Sequence, residues 1–229
     1  MFCCGIENSA EPVPYPFSIQ DMSSNADWLP LFPLKTVLFP GGVLPLKVFE
    51  ARYIDMVSEC LKTGTPFGVT LIKANQESDA QLLPETIGSL AFVSHWEMSS
   101  QRILLLRMLG GERFRILETR TLQDQRLEAR IAMIAPDDAV AISDIHVDCA
   151  KTLKLVIEDL EAKGQAEHGD AFVTPFSRPL DLQSAGWVAN RWCEILPIPL
   201  KARQKLMELN GAQNRLAIVH QYLQQHQIL

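Results

Sequence analysis

The amino-acid sequence predicts an α+β fold, a β-rich N-terminal half followed by a C-terminal helical bundle. Three observations carry this. Up to about residue 137, short β-like runs, several of alternating polarity, are separated by turn signals. Beyond it, apolar residues recur at helical spacing almost to the end. The chain's 229 residues, 47% of them hydrophobic, suffice for one large domain or two small ones that share a core. The organisation read this way is a lead-in over 1–27, a β-rich part over 28–137 and a helical bundle over 138–229.

The first extended segment, Leu29 to Leu34 with Thr36 to Phe39, contains Pro30 and Pro33. These prolines argue for an edge or bulged strand, because each removes a ladder donor. Pro40-Gly41-Gly42 is a turn, and Val43 to Val48 resumes an extended path. A helix begins at Phe49-Glu50-Ala51-Arg52-Tyr53, with Tyr53, Met56, Val57 and Cys60-Leu61 on one stripe; Gly64 closes it. Strands follow over Phe67–Ile72, Ile87–Met98 and Arg102–Leu109, the last two joined at Ser99-Ser100-Gln101. Gly110-Gly111 breaks the chain before Arg113–Leu117, and Leu127–Met133 completes about six strands, expected as a twisted, partly closed antiparallel sheet.

The second half opens with a helix over 144–163, with Cys149, Leu153, Val156, Ile157 and Leu160 on one face and Gly164 as its end. A loop over 165–180 carries Phe172, Pro175, Phe176 and Pro179. Asp181 is the expected N-cap of a helix whose stripe is Leu182, Ala185, Val188-Ala189, Trp192 and Ile195-Leu196. Pro197-Ile198-Pro199 ends it, and Leu200–Leu209 and Ala212–Leu223 complete a bundle of about four helices. No internal repeat is present.

Composition excludes several functions. The formal net charge of −6 disfavours binding to a nucleic-acid backbone, which relies on clustered cations. Five cysteines without a CxxC pair point to a reducing, cytoplasmic setting, and Cys60, Cys149 and Cys193 read as small core residues. The N-terminus has neither a basic region nor an apolar core of a secretory signal. Residues 5–27 read as a disordered lead-in, or as a leader preceding an alternative start at Met22; Cys3-Cys4 reads as part of a flexible tail, with acylation or oxidation as the alternative. The most apolar stretch, 28–49, is interrupted by lysines, prolines and glycines, so no membrane span is expected.

The chemistry of catalysis is missing as well. His146, Asp148 and Cys149 diverge around a helix, and His220 and His226 are six apart, about 240° around a helix, so neither set reads as a metal site. No Gly-x-Ser-x-Gly elbow occurs, and His95-Trp96-Glu97 reads as alternating surface and core residues rather than an acid–base pair. No glycine precedes a lysine, so there is no phosphate loop. No catalytic residue, cofactor or metal is assigned.

Three stretches resemble the substrate-binding domain at the N-terminus of Lon proteases. The first runs Leu29-Pro30-Leu31-Phe32-Pro33-Leu34, Leu38-Phe39-Pro40-Gly41, Leu44-Pro45-Leu46 and Phe49-Glu50-Ala51-Arg52-Tyr53. The second is Gly88-Ser89-Leu90-Ala91 with Gly111-Glu112-Arg113-Phe114-Arg115-Ile116, and the third Trp187-Val188-Ala189-Asn190 with Leu196-Pro197-Ile198-Pro199-Leu200. The resemblance covers roughly residues 28–225. It implies a PUA-like pseudo-barrel in the β-rich half, and a role in recognising client polypeptides without catalysis. With the sequence ending at Leu229, neither the ATPase nor the Ser–Lys protease of full-length Lon is expected.

The expected function is therefore a cytoplasmic protein-binding module, an adaptor or holdase in protein quality control, with unfolded clients and a separate protease or chaperone as partners. Trp187 is the leading protein-binding candidate: with Asn190, Arg191 and Glu194 it lies off the stripe of Trp192, where it either faces a partner or packs on the β-rich half. Phe172 and Phe176 are the further candidates, and a groove between the halves is the natural place for a peptide. Glu50 and Arg52 read as an ion pair orienting the first helix, with partner contact as the alternative. RNA binding, suggested by the PUA-like likeness, would need a contiguous patch from Arg102, Arg107, Arg113, Arg115, Arg120, Arg126 and Arg130.

Overall fold

Alternating polarity in the first half yields β1 (Leu29–Leu34), β2 (Val43–Val48), β3 (Phe67–Leu71), β4 (Ile87–Met98), β5 (Leu104–Thr121) and β6 (Leu127–Met133), with α1 (Ala51–Thr63) between β2 and β3. A computed structural model describes residues 28–73, 83–169 and 172–229; the lead-in 1–27, with Cys3 and Cys4, lies outside the described residues. The sheet order is β2-β5-β4-β3-β1-β6, and β6 pairs back onto β5, so five strands close a barrel with β2 appended. The 18-residue β5 makes this possible, since its first part pairs with β2 and its second with β6.

The sheet is mixed rather than antiparallel, because β1 and β3 run parallel. The chain between them passes through α1, and such a crossover returns a strand in the same direction. Nor is β1 an edge: it pairs with β3 and β6 at once. Its prolines fall where the ladder is one-sided. Pro30 precedes the first β3 pairing, at Leu31, and Pro33 lies beyond the β6 pairing, which ends at Leu31.

Helix α1 buries Tyr53, Met56, Val57 and Cys60, and Gly64 closes it at φ 70°, its N–H donating to the Cys60 carbonyl. The Tyr53 ring stacks on Phe32 of the barrel at 4.2 Å. Arg52 pairs with Glu50 at 2.7 Å and donates to the Gln125 carbonyl, which ties the start of α1 to the β5–β6 turn. Gly110-Gly111 does not interrupt β5. A Cβ on Gly110 would sit 2.1 Å from the Phe39 carbonyl oxygen, so the missing side chain lets two backbones meet.

After a short 3-10 turn (Asp144–His146), the helices are α2 (Val147–His168), α3 (Ala185–Ile195), α4 (Leu200–Glu208) and α5 (Ala212–Gln225). Gly164 does not stop α2, which continues to His168; the Phe172 ring fills the space a side chain at 164 would take, and a Cβ there would lie 2.0 Å from it. Ser184, not Asp181, caps α3, its hydroxyl accepting from the Trp187 N–H at 3.3 Å, so the helix starts at Ala185. The interface of the two halves follows from a period of two. Val37 and Phe39 enter the helical core with Trp192, Leu216 and Val219, while Leu38 between them enters the core shared by α1 and the barrel.

Candidate functional site

Helix α3 is buried on nearly every side, polar residues included. Arg191, 1% exposed, donates to both carboxylate oxygens of Glu194 at 2.7 and 2.8 Å and to the carbonyls of Gly41 and Pro40 at 2.9 and 3.1 Å. The Pro40-Gly41-Gly42 turn is fixed on its other side by reciprocal bonds, Gly41 N–H to the Gly110 carbonyl and Gly110 N–H to that of Gly42. Gly41 holds φ 71°, a conformation suited to glycine. The turn thus latches the barrel to α3.

A second group of charges completes the junction. Arg215 of α5, also 1% exposed, bonds Asp137 at 2.6 Å, the Asn190 side-chain oxygen, and the Leu206 and Leu209 carbonyls. Arg113 of β5 reaches across to the Met207 and Leu209 carbonyls and to the other oxygen of Asp137. Each of the three arginines donates to acceptors on another segment, and Arg191 also to Glu194 on its own helix, which offsets the cost of burying three guanidinium groups.

Beside this junction opens a cleft of about 620 Å³, within the range of small-ligand and peptide pockets. Leu90, Phe92, Gly110 and Gly111 form one wall, Trp187 and Asn190 of α3 the opposite one, and the segment Pro136 to Ala139 closes the end. That segment is pinned to α3 by Ala185 N–H to the Val140 carbonyl and Ile142 N–H to that of Gln183. Glu112, Asp138 and Asp181 stand around the opening.

The predicted site residues separate here. Trp187 lines the cleft, half-buried, with the Arg191 guanidinium 5.5 Å from its ring centroid. Phe176 is 4% exposed and belongs to the helical core, so it has no surface to offer. Phe172 packs on Gly164 of α2, away from the cleft lining. Cys60, Cys149 and Cys193 are free and buried; burial pushes the Cys149 thiol to about 11 and the Cys193 thiol to about 12, so neither is a nucleophile near neutral pH.

His95, Trp96 and Glu97 are all exposed instead of alternating, because the β3 pairing of β4 ends at Ala91 and leaves that stretch at an edge. His146 and His220 do meet, ring to ring at 5.0 Å, but among the described residues no group of three His, Cys, Asp or Glu is placed to hold a metal. Five of the seven arginines that an RNA-binding patch would draw on are engaged within the protein, and Arg102 and Arg115 are exposed. Arg113, Arg120, Arg126 and Arg130 each hold a carboxylate, and Arg107 donates to the Thr174 carbonyl. Arg191, Arg215 and Asp137 were not legible as a network, and the signal for it was three polar residues, Asn190, Arg191 and Glu194, around Trp192 in an otherwise apolar helix.

The three stretches that carry the family resemblance converge on this cleft, through Pro40-Gly41, through Leu90 with Gly111-Glu112-Arg113, and through Trp187 with Asn190. The family model of the ATP-dependent protease La (LON) substrate-binding domain matches residues 28–225. The chain belongs to this family. A Lon protease of Anaeromyxobacter dehalogenans is 26% identical over 200 residues, covering 85% of this chain and 23% of that protein. Lon protease 2 of Myxococcus xanthus is 24% identical with the same coverage, so this LON domain chain spans about a quarter of the length of these relatives.

Among solved structures, a Lon N-terminal domain protein from Xanthomonas campestris is 28% identical with a TM-score of 0.67, covering 86% of this chain and 98% of that one. The N-terminal domain of a Mycobacterium avium complex Lon protease, 13% identical with a TM-score of 0.56, covers 87% and 100% and shares the fold. No helix among the described residues is long and apolar enough to cross a membrane.

Proposed function

We propose that this LON domain is a non-catalytic module that recognises exposed polypeptide segments and holds them in the cleft between its halves, as an adaptor or holdase delivering clients to a separate protease or chaperone. The observation that carries the reading is Trp187: an aromatic side chain from the family's α3 stretch stands in a peptide-sized cleft whose opposite wall is glycine backbone and apolar side chain. Aromatic anchors in partly desolvated pockets dominate binding energy at such surfaces. Membership of the substrate-binding family supports polypeptide as the ligand. Buried free thiols support a reducing, cytoplasmic setting. The paired arginines of the barrel favour this reading over RNA binding, which needs cations open to phosphate.

The test is fluorescence anisotropy with a permanently unfolded protein, its cysteines carboxamidomethylated, against the native form of the same protein. The LON domain is expected to bind the unfolded form only, and Trp187→Ala to weaken that binding about tenfold with little change in thermal midpoint. Equal affinity for both forms would sink the function, and an unchanged affinity in the variant would sink the cleft.

A further inference from the structure

We propose that the cleft selects, among unfolded segments, those whose apolar residues are flanked by lysine or arginine. This rests on the cleft reading above and adds the charge class of the ligand. The opening carries Glu112, Asp138 and Asp181. Asp138 and Asp181 are exposed, Glu112 is half-exposed, and none of the three side chains holds an ion pair or a hydrogen bond among the described residues. The cation among the described lining residues is Arg113, and it is unavailable to a ligand: it is 4% exposed, with its guanidinium committed to the Met207 and Leu209 carbonyls and to Asp137.

Asp137 is in turn neutralised by Arg113 and Arg215. Counting Arg113 and Arg215 against Asp137, Glu112, Asp138 and Asp181, two positive charges against four negative, the cleft keeps a net charge of −2 over its apolar walls, on a chain of net charge −6. Low-dielectric walls focus its field into the opening. A lysine or arginine beside an apolar anchor satisfies both surfaces, its aliphatic stem lying along Phe92 or along Trp187 and its charged head reaching the rim. An acidic flank meets repulsion at the same place.

The test uses the full chain and three labelled peptides with one Leu- and Phe-containing core, flanked on both sides by Lys, Gln or Glu. Exposed ion pairs contribute about twofold each, so at about 50 mM salt the Lys-flanked peptide is expected to bind about tenfold tighter than the Gln-flanked one. The Glu-flanked peptide should be weakest. At about 0.5 M salt, where the screening length is roughly 4 Å, the ranking should compress to about twofold.

The combined variant Glu112→Gln/Asp138→Asn/Asp181→Asn is expected to abolish the ranking. An equal or reversed ranking in the wild-type chain overturns the inference, as does a ranking that survives in the combined variant. In that case Trp187→Ala still weakens all three peptides. If Trp187→Ala weakens none, or no peptide binds, the cleft reading has failed and the inference with it.

Discussion

Two groups of charged side chains share the junction between barrel and bundle, and their circumstances are opposite. Arg113, Arg191, Arg215 and Asp137 are buried or nearly so, and each meets partners from two or more elements. Glu112, Asp138 and Asp181 line the cleft alongside, exposed or half-exposed and with no ion pair among the described residues. Adjacent residues fall on different sides of this divide: Glu112 and Arg113 on β5, Asp137 and Asp138 on the linker. Charges of the first kind are expensive to bury and costly to strand once buried, so they hold the halves in one arrangement. Charges of the second kind contribute little to stability and are available to a ligand. The cleft keeps its shape because the first group is rigid, and its character because the second is not satisfied.

The comparison can be broken by a graded series read as urea unfolding. Arg215→Ala leaves one carboxylate oxygen of Asp137, the Asn190 side-chain oxygen and the Leu206 carbonyl without their donor, and is expected to cost about 3–5 kcal/mol. Asp137→Asn keeps the shape and removes the charge facing two guanidinium groups, for about 1–3 kcal/mol. Asp138→Asn, one residue on, is expected to stay within about 0.5 kcal/mol of the parent. Equal costs at 137 and 138 would erase the distinction between the two groups.

A smaller effect sharpens it from the helical side. His146 is buried against His220, and desolvation together with that neighbour lowers its pKa below the usual 6.5. Between the lowered folded value and 6.5 the unfolded chain binds a proton that the native chain does not, so stability falls as pH drops through that window and is flat above it. Comparing urea midpoints at about pH 8 and about pH 5, His146→Gln should lose less than the wild-type chain. Parallel losses in both would remove His146 as a source of acid sensitivity.

Much of the fold was legible in the residues. The α1 stripe and Gly64, the hairpin at Ser99, and the change of character near Asp137 follow from local periodicity and turn chemistry, which need no knowledge of distant partners. What local pattern could not supply was any feature decided by a remote segment. Gly110-Gly111 reads as a break until the Phe39 carbonyl is seen against it, and Gly164 as a stop until Phe172 is seen on it. Arg215 carries no signal of its own in the sequence, because its partner Asp137 lies 78 positions away. The site was half legible for the same reason: Trp187 stood out by its place off the Trp192 stripe, whereas only packing separates it from Phe176, which belongs to the core.

Ligand polypeptide is proposed to occupy the cleft between barrel and bundle. Hydrogen–deuterium exchange of the full chain, with and without saturating carboxamidomethylated unfolded protein, tests it most directly. Added protection is expected over residues 40–42, 110–113, 136–140 and 184–190, with little change on the outer faces of α2 and α5. Protection concentrated on the β2 edge or the outer helices, with those four segments unchanged, would contradict it.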